Sequence, residues 1–203
     1  MKRLLMICVV SCMLLPNVAP ADMIIDTGQP PNVMSGYSLD VDQWLAGEFT
    51  LTQAYTITDV QGWMFEGTSG YVTVAIYGDG GDVPDTGSKL YSDSFVTDIT
   101  EYSNAWVGVQ GVSWDLDPGT YWVAFEVHNT GTYYGMPYPA PSPLGNHAST
   151  YLGEWRNDSS VNFGVKIYGD LSVVPAPGAL FLGIIGLGSA GWRLRRRSVN
   201  QVS

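Results

Sequence analysis

The sequence predicts an all-β chain, an antiparallel β-sandwich of jelly-roll type with about eight strands. Three observations carry this. Short runs rich in β-branched and aromatic residues recur along the chain, and several of them alternate apolar with polar or small residues. Nothing between Asp22 and Val174 sustains a 3.6-residue period. The runs, in order, are "EFTLTQAYTIT", "YVTVAIYG", "SKLYSDSF", "AWVGVQGVSWDL", "TYWVAFEV" and "VNFGVKIYG". Val72, Val74 and Ile76 fall on one face of their run, as do Phe163, Val165 and Ile167. Clusters such as "GDGGDVPDTG" and "DLDPGT" supply the turns. An outer-membrane barrel would need more strands, longer and more evenly spaced. In "MPYPAPSPLG", four prolines within the seven residues Pro137 to Pro143 forbid regular pairing, so this stretch is read as a surface loop between two late strands.

Both ends of the chain differ from this body. Residues 1–21 begin with basic Lys2 and Arg3, continue through an apolar run from Leu4 to Leu15, and end on the small residues Ala19 and Ala21. This is the layout of a secretory signal peptide cut after Ala21. A lipoprotein cut before Cys12 is the rival, and it would leave a leader of only eleven residues. Both cysteines, Cys8 and Cys12, lie in the leader, so a mature chain has no disulfide, no cysteine metal site and no cysteine nucleophile. The body, residues 22–172, has the length of one domain.

Between Asp22 and Val174 the basic residues are Lys89, Arg156 and Lys166, against all 19 acidic residues, a net charge of −16 where the whole chain carries −10. Such a surface repels phosphate backbones and excludes nucleic acid as a partner. It also invites divalent cations. Asp79, Asp82 and Asp85 lie in one Gly-rich loop and are the candidate Ca²⁺ ligands, with solvated turn residues as the plainer reading. Tyr133, Tyr134 and Trp155, with Tyr138, Tyr151 and Glu154 nearby, are candidates for stacking on sugar rings, and core packing is the alternative for the same aromatics. His128 follows Glu126 on the same strand face and His147 falls in a loop. Two separated histidines form neither a zinc signature nor a recognisable triad, and no hydrolase, metalloprotease or phosphate-loop motif occurs. The expectation is a chain without catalytic residues.

The tail carries the sharpest motif. Gly178 to Trp192 are fifteen residues without a charge. As a helix they span about 22 Å, and counting back to Val173 nearly reaches the roughly 30 Å of a hydrocarbon core. Arg193, Arg195, Arg196 and Arg197 follow at once and belong on the cytoplasmic side. Small pairs four apart, Ala179/Gly183 and Gly186/Ala190, allow another helix to approach closely.

Val174, Pro175, Ala176, Pro177 and Gly178, then the Gly-rich span, then Trp192 and the arginines, resemble the PEP-CTERM sorting signal of Gram-negative bacteria. The likeness covers residues 173–198, with 199–203 as the cytoplasmic end, and the residue between the prolines is Ala176 where the family usually has Glu. The resemblance implies recognition by exosortase, a multipass membrane enzyme, with cutting near the Pro-x-Pro motif. It further implies an inner-membrane precursor and a product at the cell surface or in an extracellular polysaccharide matrix. The sequence thus predicts a secreted, surface-sorted structural or binding protein. The alternatives are a carbohydrate-binding or carbohydrate-cleaving module and a permanently anchored surface protein.

Overall fold

The computed structural model describes residues 21–172 apart from 69, 97–102, 139, 141–143 and 152. The expected leader up to residue 20 and the tail from 173, with the expected sorting motif and the arginine cluster, lie outside the described residues. Among the described residues no helix is long and apolar enough to cross a membrane.

Twelve strands occur among the described residues: β1 (Asp22–Asp26), β2 (Tyr37–Leu39), β3 (Leu45–Leu51), β4 (Tyr55–Thr68), β5 (Tyr71–Asp79), β6 (Pro84–Val96), β7 (Asn104–Leu116), β8 (Gly119–Glu126), β9 (Tyr133–Met136), β10 (His147–Tyr151), β11 (Glu154–Asn157) and β12 (Val165–Leu171). The expected count of about eight is too low. The run read as one strand, "EFTLTQAYTIT", is two strands broken at residues 52–54, and β3 and β4 belong to different sheets. The others missed, β1, β2, β9, β10 and β11, are three to five residues long. β1, β2 and β9 pair with strands far away in sequence, and β10 and β11, though a local hairpin, are too short to show an alternating pattern.

All strand pairing among the described residues is antiparallel. One sheet runs β1-β12-β4-β9-β2, with β7 on the opposite edge of β4, and the other runs β11-β10-β3-β8-β5-β6. The long β4 organises the first sheet. Val60 pairs with Ile167 of β12 and Val109 of β7, while further along Phe65 pairs with Gly135 of β9 and Asn104 of β7. Between Ile57 and Asp59 the register slips by one residue against β12 and by two against β7. This lets Ile57 and Val60 both point into the core despite their odd spacing.

Pairing nests around the β5–β6 turn. β5 pairs with β6, β4 with β7, β3 with β8 and β2 with β9, and successive pairs fall in alternate sheets. β10–β11 extends one sheet beyond β3, and β12–β1 extends the other beside β4. The innermost turn uses Gly81 at φ 86°, a left-handed conformation that costs glycine no Cβ clash.

The core lies between the sheets. Ile57, Val60, Met64, Val109 and Ile167 come from one sheet, and Phe49, Val74, Ile76, Val123 and Phe125 from the other. The expected faces hold: Val72, Val74 and Ile76 are buried there, and so are Phe163, Val165 and Ile167. Residues 137–146, the proline-rich stretch, connect β9 of one sheet to β10 of the other.

Candidate functional site

The side chains of the three loop aspartates do not gather as a metal-binding group. Asp79 Oδ1 accepts the Gly81 amide at 2.8 Å and Asp85 Oδ1 accepts the Gly87 amide at 2.9 Å, which are the short-range turn bonds of ordinary loop aspartates. Asp82 is engaged through its backbone carbonyl, which accepts from Asn157 Nδ2 at 3.3 Å. Among the described residues no three carboxylate, imidazole or thiol groups are close enough to hold a metal ion.

The proposed aromatic cluster is also dispersed. Tyr134 is fully buried in the core, with its hydroxyl donating to the Gly70 carbonyl at 3.0 Å, so it presents no face to a ligand. Tyr133, its neighbour on β9, points the other way and lies over Gly67, where a Cβ would strike the ring. Tyr138 packs on Tyr37 at 4.8 Å between centroids. Trp155 belongs to the second sheet and packs elsewhere.

That elsewhere is the outward face of the second sheet, a feature no motif announced. Because strand residues alternate, the residues between the core positions line it. Ala148, Ala46, Ala124 and Ala75 are register partners across β10, β3, β8 and β5, which makes a flat floor of methyl groups. Beside this row Glu48, Trp122, Tyr77 and Lys89 form the next. The floor, Trp122 and Tyr77 are all buried, with Trp155 and Val83 packed against them. The tie from Asn157 to Asp82 draws the end of β11 to the β5–β6 turn.

Glu126, on this face, has no exposed surface. Its Oε1 accepts the Tyr77 hydroxyl, and its Oε2 takes Lys89 Nζ and His128 Nε2, each at 2.9 Å. A buried carboxylate is tolerable only with this degree of hydrogen bonding. The Tyr77 phenol is pushed far above its ordinary value, first by burial and then by the Glu126 hydrogen bond and charge. Aromatic rings wall the group. Trp44 meets His128 edge-on at 4.8 Å and Trp155 at 6.3 Å, and Lys89 Nζ lies 5.0 Å from the Tyr77 centroid. The sequence carried a faint sign of it, since Glu126 is the one charge in the run "TYWVAFEV".

Beside this group, at the sandwich edge, lies a cleft of about 460 Å³. The turn before β3 contributes Asp40, Asp42 and Gln43. The β10–β11 hairpin contributes Ser149, Thr150, Tyr151 and Arg156, followed by Asn157 and Asp158. Gly153, at φ 84°, makes the hairpin's tight turn possible. Thr150 joins the two walls: its amide donates to the Trp44 carbonyl at 3.0 Å, and its hydroxyl accepts the Trp44 amide at 2.7 Å. Asp158 is held below the ordinary carboxylate range, chiefly by the Ser160 hydroxyl and also by the Ser160 amide and Ser149 hydroxyl, against the opposing effect of burial. The Arg156 guanidinium lies 5.3 Å from the centroid of Tyr151, a ring that is 59% exposed.

No family model matches the chain, and no curated protein matches it significantly. Function therefore rests on the chain's own residues and geometry.

Proposed function

We propose that this is a secreted, surface-sorted β-sandwich protein whose C-terminal segment is processed by an exosortase-type membrane enzyme. Its role is that of a structural or binding component of the cell surface or an extracellular polysaccharide matrix, and it is a substrate of sorting rather than an enzyme. The observation that carries this reading is the ordered tail: the Pro175-Ala176-Pro177 motif, an uncharged Gly-rich span, then Arg193, Arg195, Arg196 and Arg197. Two structural facts support it. The compact unit ends at Leu171 with the last strand among the described residues, just before the motif, so a cut near Pro175–Pro177 leaves every described strand intact. Among the described residues the first strand begins at Asp22, the residue that cleavage after Ala21 makes the new N-terminus. The jelly-roll assignment of the body is supported by the nested pairing of β2–β9, β3–β8, β4–β7 and β5–β6.

Mass spectrometry of the protein recovered outside the cell tests the reading. The expected product starts at Asp22 and lacks every peptide from Phe181 to Trp192. A Pro175→Ala, Pro177→Ala variant should accumulate as uncut precursor in the membrane fraction. Recovery of the Phe181–Trp192 peptide on released protein overturns sorting, and full-length wild type held in the membrane leaves a permanent anchor.

A second reading, a carbohydrate-binding module, is favoured by the polar cleft with its exposed tyrosine.

A further inference from the structure

We propose that the cleft between the Asp40–Gln43 turn and the β10–β11 hairpin binds a neutral pyranose unit of a glycan, with Tyr151 as the stacking ring and Asp42 and Gln43 as hydroxyl partners. This rests on the carbohydrate-binding reading of the body and is independent of the fate of the tail.

The assignment follows from which hydrogen-bonding groups are already used. On the outward face of the second sheet most are spent: both Glu126 oxygens are taken, and Trp44 Nε1 donates to the Val127 carbonyl at 2.8 Å, while the buried Trp122 Nε1 has no partner among the described residues. In the cleft they are not. Asp40 uses Oδ1, which accepts the Asp42 and Gln43 amides at 2.9 and 3.0 Å, and its Oδ2 makes no hydrogen bond among the described residues. Asn157 uses Nδ2, and its Oδ1 makes no hydrogen bond among the described residues. The side chains of Asp42 and Gln43 make no hydrogen bond among the described residues. What remains is a surplus of acceptors, with the Gln43 amide and Arg156 as donors.

That surplus selects the ligand. Surplus acceptors call for a molecule rich in hydroxyl donors. Carboxylates of Asp40, Asp42 and Asp158 in one cleft repel an anionic sugar, and the one cation there, Arg156, is already turned to Tyr151. An apolar ligand would leave these acceptors unpaired, at a cost. The volume suits a small ligand, and the apolar C–H face of a pyranose suits a tyrosine ring. The walls are set in advance: Asp40 is fixed by two backbone amides, Asp158 by Ser149 and Ser160, and the turn by Thr150. Pre-setting of this kind lowers the entropy cost of binding.

The test is calorimetric titration of the purified full chain with cello-, xylo- and manno-oligosaccharides, oligogalacturonate and CaCl₂. At least one neutral oligosaccharide should bind, oligogalacturonate should bind more weakly, and Tyr151→Ala should weaken the neutral ligand about tenfold. Asp42→Asn should weaken it by a smaller factor. Both side chains are exposed, so neither change should move the melting temperature. No heat with any sugar overturns the carbohydrate-binding reading itself. Binding that is indifferent to Tyr151→Ala and Asp42→Asn but lost in Trp155→Ala keeps that reading and overturns the cleft, moving the ligand to the outward face. Preference for oligogalacturonate, or Ca²⁺ binding abolished by Asp42→Asn without sugar binding, overturns the neutral-sugar assignment.

Discussion

The two faces of the sheet β11-β10-β3-β8-β5-β6 share the same strands and reach the same burial, yet they are composed differently. Inward stand Phe49, Val74, Ile76, Val123 and Phe125, bulky side chains that fill the space between two sheets. Outward stand Ala46, Ala75, Ala124 and Ala148, with Tyr77 and Trp122 beside them and a fully buried Glu126 among the aromatics. The first face is held by apolar area and close packing. The second depends on small residues that leave room for large rings, and on the Tyr77, Lys89 and His128 groups that satisfy Glu126. Burial alone therefore does not reveal what a face is for.

The largest expected effect comes from the inward face. Phe125→Ala should cost about 3–5 kcal/mol in urea unfolding, because it opens a cavity where Phe125 meets Phe163 edge-on at 6.0 Å between centroids. A loss no larger than that of an outward substitution would break the contrast. Next comes Glu126→Leu, expected to cost about 1–3 kcal/mol by leaving the buried Tyr77 hydroxyl without an acceptor. Adding Tyr77→Phe should recover much of that loss, because both polar partners are then gone. If the double variant is as unstable as the single one, packing and not hydrogen bonding holds the outward face.

A smaller effect should come from His147 at the sandwich edge. Burial lowers its pKa below the ordinary 6.5, with Asp158 pulling the other way. The native state thus keeps the ring neutral while the unfolded chain takes up a proton near 6.5. The resulting stability is complete above that value and declines as pH falls from it toward the folded pKa. Asp158, lowered from 3.8, adds stability that is present above 3.8 and lost only at more acid pH. Melting curves across pH should show the first decline disappear in His147→Gln and the second remain. The smallest expected effect is Asp42→Asn, within about 0.5 kcal/mol at neutral pH, since its carboxylate is exposed and unpaired among the described residues. A larger change would make Asp42 part of the scaffold and not a free wall of the cleft.

Some of this was legible in the chain. Val72, Val74 and Ile76, and Phe163, Val165 and Ile167, alternate because a sheet has two faces, and that period survives in one dimension. The site was much less so. Asp79, Asp82 and Asp85 are close in sequence, but two of them bond their own turn amides and none converges with the others. Tyr133 and Tyr134 are adjacent, and adjacency on a strand is what sends them to opposite faces. Trp155 is grouped by sequence with Tyr133 and Tyr134, while the aromatics it packs against, Trp44 and Tyr77, lie 111 and 78 residues away and could not be read beside it.

By itself the sequence determined the all-β class, the strongly acidic body, the cysteine-free domain and the motif-bearing tail, because composition, period and local motifs need no partner to be read. The tertiary structure alone decided the nested pairing, the alanine floor across four strands, the burial of Glu126 and the meeting of Asp42 with Tyr151 at one cleft. Each of these is a juxtaposition of segments far apart in the chain. Such contacts depend on which strand lies beside which, and a linear pattern with a period of two is compatible with many such orders.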